Sequence, residues 1–114
     1  MTAATDILRR ELEDAATHLG LAHELRFRPM FGGLMAYLFE RPCAWLGADG
    51  IALKVKPADR EALLAVDGAS PFLPRPGALP SRQYVVLPHS LTRDTPAFAE
   101  WLARGVAAQK KPAR

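Results

Sequence analysis

One cysteine, Cys43, is all the thiol chemistry in the chain, so no disulfide can form within it. A reducing cytoplasm is therefore the expected compartment. Long apolar runs are also missing. Residues 29–39 and 43–48 fall short of the ~18 apolar residues a membrane-spanning helix needs, and the Gly32-Gly33 pair interrupts the first of them. The opening MTAATDILRRELEDAATHLG brings acidic residues early and no apolar stretch behind a basic start, which is not a secretory leader. Charge of one sign is scarce: 15 Lys and Arg face 12 Asp and Glu, a formal net charge of +3. Nucleic-acid binding is permitted by that balance without being indicated by it.

Recognisable catalytic groupings are absent as well. A structural zinc site wants Cys and His ligands in close pairs, whereas His18, His23 and His89 are scattered and Cys43 stands alone. Cys43 opens an apolar segment, where cysteine behaves as a small buried hydrophobe. No GxSxG elbow surrounds Ser70, Ser81 or Ser90. Gly32-Gly33 lacks the spacing of a phosphate-cradling loop and precedes an apolar strand where such loops need a helix. Two glycines in a sharp turn with close backbone packing explain the pair more simply. Asp6, Glu11, Glu13 and Asp14 fall on the polar side of a helix, and Asp59 and Glu61 at the start of another. These are solvated or dipole-complementing places. The expectation is a protein that is not an enzyme and carries no metal or cofactor.

What is present is a well-patterned globular chain. Its 114 residues suit one domain, with 49% hydrophobic and 24% charged residues. We read residues 1–114 as that domain, with a core over about 4–108 and a basic tail over 109–114, and no second domain. Leu8, Leu12, Ala15, Ala16 and Leu19 recur at spacings of three and four, which predicts a helix over about 4–19. Arg10 and Asp14 form a candidate ion pair on its polar side. Gly20 followed by Leu21 is a fitting stop. From His23 the period becomes two, with Leu25 and Phe27 alternating with Glu24, Arg26 and Arg28. Pro29 ends that strand or confines it to a sheet edge. Two apolar runs follow, residues 34–39 and 43–46, joined by Glu40-Arg41-Pro42. An Asp49-Gly50 hairpin then leads into a strand from Ile51 to Lys56.

Pro57 predicts the first turn of a second helix with Leu63, Leu64 and Val66 on its core side. Residues 70–82 hold four prolines and read as loop. A short strand over 83–87 returns to the sheet. Thr95 as cap and Pro96 behind it start a last helix, with Phe98, Trp101, Leu102 and Val106 on one side and Lys110 and Lys111 at its end. The order is α, three or four β, α, one or two β, α. Adjacent strands without βαβ alternation predict an α+β domain with a mainly antiparallel sheet.

One stretch goes beyond periodicity. Arg28-Pro29-Met30-Phe31-Gly32-Gly33 resembles the RxMFGG signature that opens the TfoX N-terminal domain of the TfoX/Sxy family. Tyr37, the segment Ile51-Ala52-Leu53-Lys54-Val55, Pro71-Phe72, Tyr84 with Leu87-Pro88, and Trp101 with Ala103-Arg104 follow in the family's order. The resemblance covers roughly residues 26–108. It implies a two-layer sandwich, no established catalytic residues, and a link to regulation of competence. A regulatory protein-interaction module, with a protein partner or as a homodimer, is thus the first expectation, acting through the sheet face or an exposed strand edge. The alternative is a weak nucleic-acid or anion-binding domain. It would use Arg26, Arg28, Lys54 and Lys56, which form a positive stripe if their strands are neighbours. A third expectation is a small-molecule or anion pocket near Gly32-Gly33 and the proline-rich loop.

Overall fold

The computed structural model describes residues 3–30, 32–73 and 77–109. Helix α1 (Ala3–His18) leads through a 3-10 turn (Ala22–Glu24) into β1 (Leu25–Met30), β2 (Gly33–Leu38), β3 (Arg41–Gly47) and β4 (Gly50–Lys54). Then come α2 (Pro57–Leu64), β5 (Ser70–Pro71), β6 (Tyr84–Val86), α3 (His89–Thr92) and α4 (Thr95–Gln109). All six strands join one sheet in the order β1-β2-β3-β4-β6-β5, with every pairing antiparallel. The α+β sandwich expected from the pattern is the observed architecture.

Local signals explain most element ends. Gly20 takes φ +73°, Leu21 N–H bonds Ala16 O at 2.8 Å, and Gly20 N–H bonds Thr17 O at 3.0 Å. That is a Schellman stop, and Leu21 packs against the core behind it. Pro57 sits in the first turn of α2. Four details differ from the sequence expectation. The ion pair on α1 is Arg9–Glu13 (3.3 Å), one residue away from the expected Arg10–Asp14. The cap of α4 is Asp94, whose Oδ1 accepts the Ala97 N–H at 3.3 Å; the carboxylate serves where Thr95 was expected. The β3–β4 turn is Ala48-Asp49, with Gly50 already in β4 and paired to Gly47. The β2–β3 turn is Phe39-Glu40, so Arg41 and Pro42 belong to β3. The proline-rich segment also contributes the short β5, which pairs with β6. Lys110 and Lys111, Phe31, and Pro74 and Pro76 lie outside the described residues.

The core fills one side of the sheet. Leu12, Ala15 and Ala16 of α1 and Phe98, Leu102 and Val106 of α4 are buried there. They meet Leu34, Ala36, Leu46, Ile51, Leu53 and Val85, which alternate along the strands. Each fully buried Leu, Ile or Phe contributes about 1.5–3 kcal/mol relative to exposure. Helix α4 can approach β4 closely because Gly105 carries no side chain: a Cβ there would lie 2.7 Å from Lys54 O.

Candidate functional site: the open face of the sheet

The register fixes what the opposite side of the sheet presents. One row runs Arg28, Met35, Trp45, Ala52, Val86 and Ser70 across all six strands. The next contains Arg26 beside Tyr37 and Lys54 beside Tyr84, with Cys43 in a bulge of β3 between Pro42 and Ala44, opposite the Ala36–Tyr37 step. Helices α1 and α4 pack on β3 and β4 from the core side, and α2 packs against β6. Met35, Tyr37, Trp45, Tyr84 and Val86 are nonetheless only half-exposed. Large side chains on this face shield one another.

Trp45 shows how. Its indole lies down along the sheet over Gly33 and Gly47 instead of standing up from it. A Cβ on Gly33 would collide with the Leu46 carbonyl and lie 2.8 Å from Trp45 Cζ2; one on Gly47 would lie 2.7 Å from Trp45 Nε1. The two glycines of the sequence motif thus divide the work. Gly32 takes φ +81°, a conformation few side chains tolerate, and Gly33 leaves room for the ring. Trp45 Nε1–H has no hydrogen-bond partner among the described residues.

Cys43 belongs to the buried core cluster. It is almost wholly buried, and burial pushes its thiol up to about 12. Tyr84 is also raised, first by its own burial and then by the charges that Cys43 and Tyr37 would carry, so the three groups share one neighbourhood. A protonated buried thiol is a poor nucleophile. Phe72 extends the layer, with its ring centroid 6.2 Å from that of Tyr84.

The basic residues are distributed differently from the expected stripe. Arg26 and Arg28 lie on β1 and Lys54 on β4, with β2 and β3 between them, and Lys56 follows β4 as an exposed residue before α2. Arg26 is drawn to the sheet edge, where its Nη1 donates to His23 O and Leu25 O, both at 2.9 Å. Arg28 and Lys54 remain at the two sides of the aromatic layer. No Asp or Glu occupies an outward strand position among the described residues.

Elsewhere the side chains do structural work. Glu11 pairs with His89 (2.6 Å), so this histidine bridges α1 and α3 and is not an isolated surface group. Asp59 is buried beside Arg104 (3.7 Å), contrary to its expected solvated place at the start of α2. Nothing in the one-dimensional pattern of α2 marks it, because its partner arrives from α4. A groove of about 620 Å³ runs between α1 and β1, floored by Leu25, Phe27 and Leu34 and rimmed by Arg9, Glu13 and Arg26. It does not join Gly32-Gly33 to the proline-rich loop. β1 and β5 are opposite edges of the sheet, so the Gly32-Gly33 turn and the described start of the proline-rich segment lie far apart on it. Among the described residues no group of three or more His, Cys, Asp or Glu could hold a metal ion, and no helix is long and apolar enough to cross a membrane.

The model of the TfoX N-terminal domain matches residues 17–109, a span that contains every strand and both glycines under Trp45. The chain belongs to this family. No curated protein and no solved structure matches it. In this TfoX N-terminal domain the signature hexapeptide marks the junction of the edge strand β1 with β2 and the seat of Trp45. Sequence reading found the hexapeptide but not Trp45, because the ring's position depends on Gly47 as much as on Gly33.

Proposed function

We propose that this TfoX N-terminal domain is a non-enzymatic regulatory module, in the setting of competence or transcriptional control, that works by binding a macromolecular partner on the open face of its sheet. The observation that carries this reading is the layer of Met35, Tyr37, Trp45, Tyr84 and Val86, half-buried on the side away from α1 and α4. A sheet face away from α1 and α4 with a seated indole is a ready-made contact surface, costing little side-chain entropy on binding.

The strand edges are poorer candidates. Pro29 has no N–H to give to β2, so its backbone faces outward along β1, and by the period of the ladder Leu25 and Phe27 face outward too. The Leu25 carbonyl is already occupied by the Arg26 guanidinium. At the other edge β5 has only two residues, and one is Pro71. Both edges are blunted against strand addition. Of the two expected modes, face and edge, the face is the one left open.

The test is association by the purified protein, read by native mass and by capture of partners, in two variants. Met35→Glu places a charge in the middle of the open face; Arg10→Glu places one on the exposed side of α1. Association abolished by the first and kept by the second is the expected result. Equal loss in both, or none in either, would sink the proposal.

A further inference from the structure

We infer that the ligand of the open face is a single-stranded nucleic acid. This rests on the reading of that face as the recognition surface and names its partner. Three features converge. The first is flat aromatic surface: Trp45 lies along the sheet over Gly33 and Gly47, with Tyr37 and Tyr84 on the same face. Every base has a π-face, so rings presented this way bind bases by stacking without demanding a sequence.

The second is charge. Arg26, Arg28 and Lys54 occupy outward positions and no carboxylate does among the described residues. Arg28 and Lys54 stand three strand steps and one row apart, about 16 Å at the usual sheet spacings. A backbone crossing the rings from one to the other meets a cation at each end. The same charges oppose a second copy of this chain, which would set bases against bases.

The third is shape. The strand residues of this face offer no helix to insert into the major groove of a duplex, whereas unpaired bases can splay onto them. Arg26 contributes charge, but its Nη1 donates to two backbone carbonyls, so Arg28 and Lys54 are the assigned phosphate contacts.

The experiment uses the full chain in a Trp101→Phe background, which leaves Trp45 as the one indole. Fluorescein-labelled 20-residue oligo(dT) and oligo(U) are titrated by anisotropy from ~20 mM salt upward, where phosphate contacts are strongest at the low end. The expected result is saturable binding that quenches Trp45. Log affinity should fall with log salt at a slope near −1.4, about −0.7 for each of two contacts. Arg28→Glu/Lys54→Glu should weaken binding at least about tenfold and flatten the slope by about 1.4, to near zero, with an unchanged melting temperature to certify the fold. No binding at low salt overturns the inference. So does duplex DNA bound as tightly as single strands, or poly-glutamate quenching Trp45 with equal affinity. If native mass instead shows a dimer that Met35→Glu disperses, nucleic acid is overturned while the open face stands as the recognition surface. If oligonucleotide, polyanion and self-association all leave Trp45 emission untouched and no partner captured by the natural chain is lost with Met35→Glu, both readings fall.

Discussion

The two faces of this sheet are built from the same strands, often from adjacent residues, and follow opposite rules. On the covered face Leu34, Ala36, Leu46, Ile51, Leu53 and Val85 are aliphatic, and none exceeds a few per cent exposure. They are hidden because α1 and α4 lie on them. On the open face the residues between them are aromatic, basic, sulfur-bearing or small, and the large ones hide one another. Gly33 and Gly47 belong to this second rule, since they give up their own side chains so that Trp45 can lie flat. Stability is invested in one face, and the other is left with surface to offer. A sheet that needed only to be stable would cover both.

The largest expected effects test that division directly. Leu53→Ala removes a fully buried side chain from the covered face and should cost about 2–5 kcal/mol. Met35→Ala on the open face should cost less than about 1.5 kcal/mol, because the site is half-exposed. Chemical denaturation of both variants checks the pair. Similar losses would mean that something in the fold covers the second face after all. Gly33→Ala comes next. Its new methyl meets the Leu46 carbonyl and the indole, so a loss of about 1–3 kcal/mol is expected from overpacking. A shift in Trp45 emission should accompany it. An unchanged spectrum would mean that the ring does not rest on Gly33.

How much of this was readable in the sequence follows from the range of the interactions involved. Helix α1 and its stop at Gly20 depend on residues within one or two turns, and both were legible. The alternation of β1 to β4 separates the faces by itself, because a strand's period of two is local. The pairing of strands is not local. Arg26 and Lys54 therefore read as a stripe, although β2 and β3 separate them. Asp59 read as solvated because Arg104 is brought to it by a helix far along the chain. The candidate face was legible as a set of outward residues, but its organiser was not. Trp45 needs Gly33 from one strand and Gly47 from its own, and only the folded register brings them under one ring.

Alkaline pH separates the faces by a different property. Cys43, at the bulge of β3, is buried with the core, and its thiol is raised from 9.0 to about 12. Below pH 9 the thiol is protonated in both folded and unfolded chains and has no effect on stability. Above it the unfolded chain loses the proton and the folded one keeps it, so stability falls progressively between pH 9 and 12. At pH 10 the loss should be about 1.4 kcal/mol. The raised Tyr84 phenol acts in the same direction above its ordinary value of 10.0. Denaturation midpoints at pH 8 and 10 for the natural chain and for Cys43→Ala measure it. If the alanine variant falls as steeply, the thiol is not what holds the proton.

The smallest effect lies in the β2–β3 turn, where Phe39 and Glu40 both take positive φ, 53° and 66°. Two-residue hairpin turns of this kind favour Asn and Gly, which enter that region cheaply. Phe39 and Glu40 do not. The strain is offset because Phe39 packs against the covered-face core, so that position is held by packing. Glu40 is exposed and has no such return. Glu40→Asn should therefore stabilise the domain by about 0.5–1 kcal/mol, part of the ~1–3 kcal/mol a strained residue stores. Phe39→Asn should relieve similar strain yet destabilise, because it removes an apolar contact from the core. Thermal melts of the two variants moving in opposite directions would show that the turn is bent to serve the covered face. Both rising together would mean that Phe39 contributes nothing there, and that the division between the faces ends at the strands.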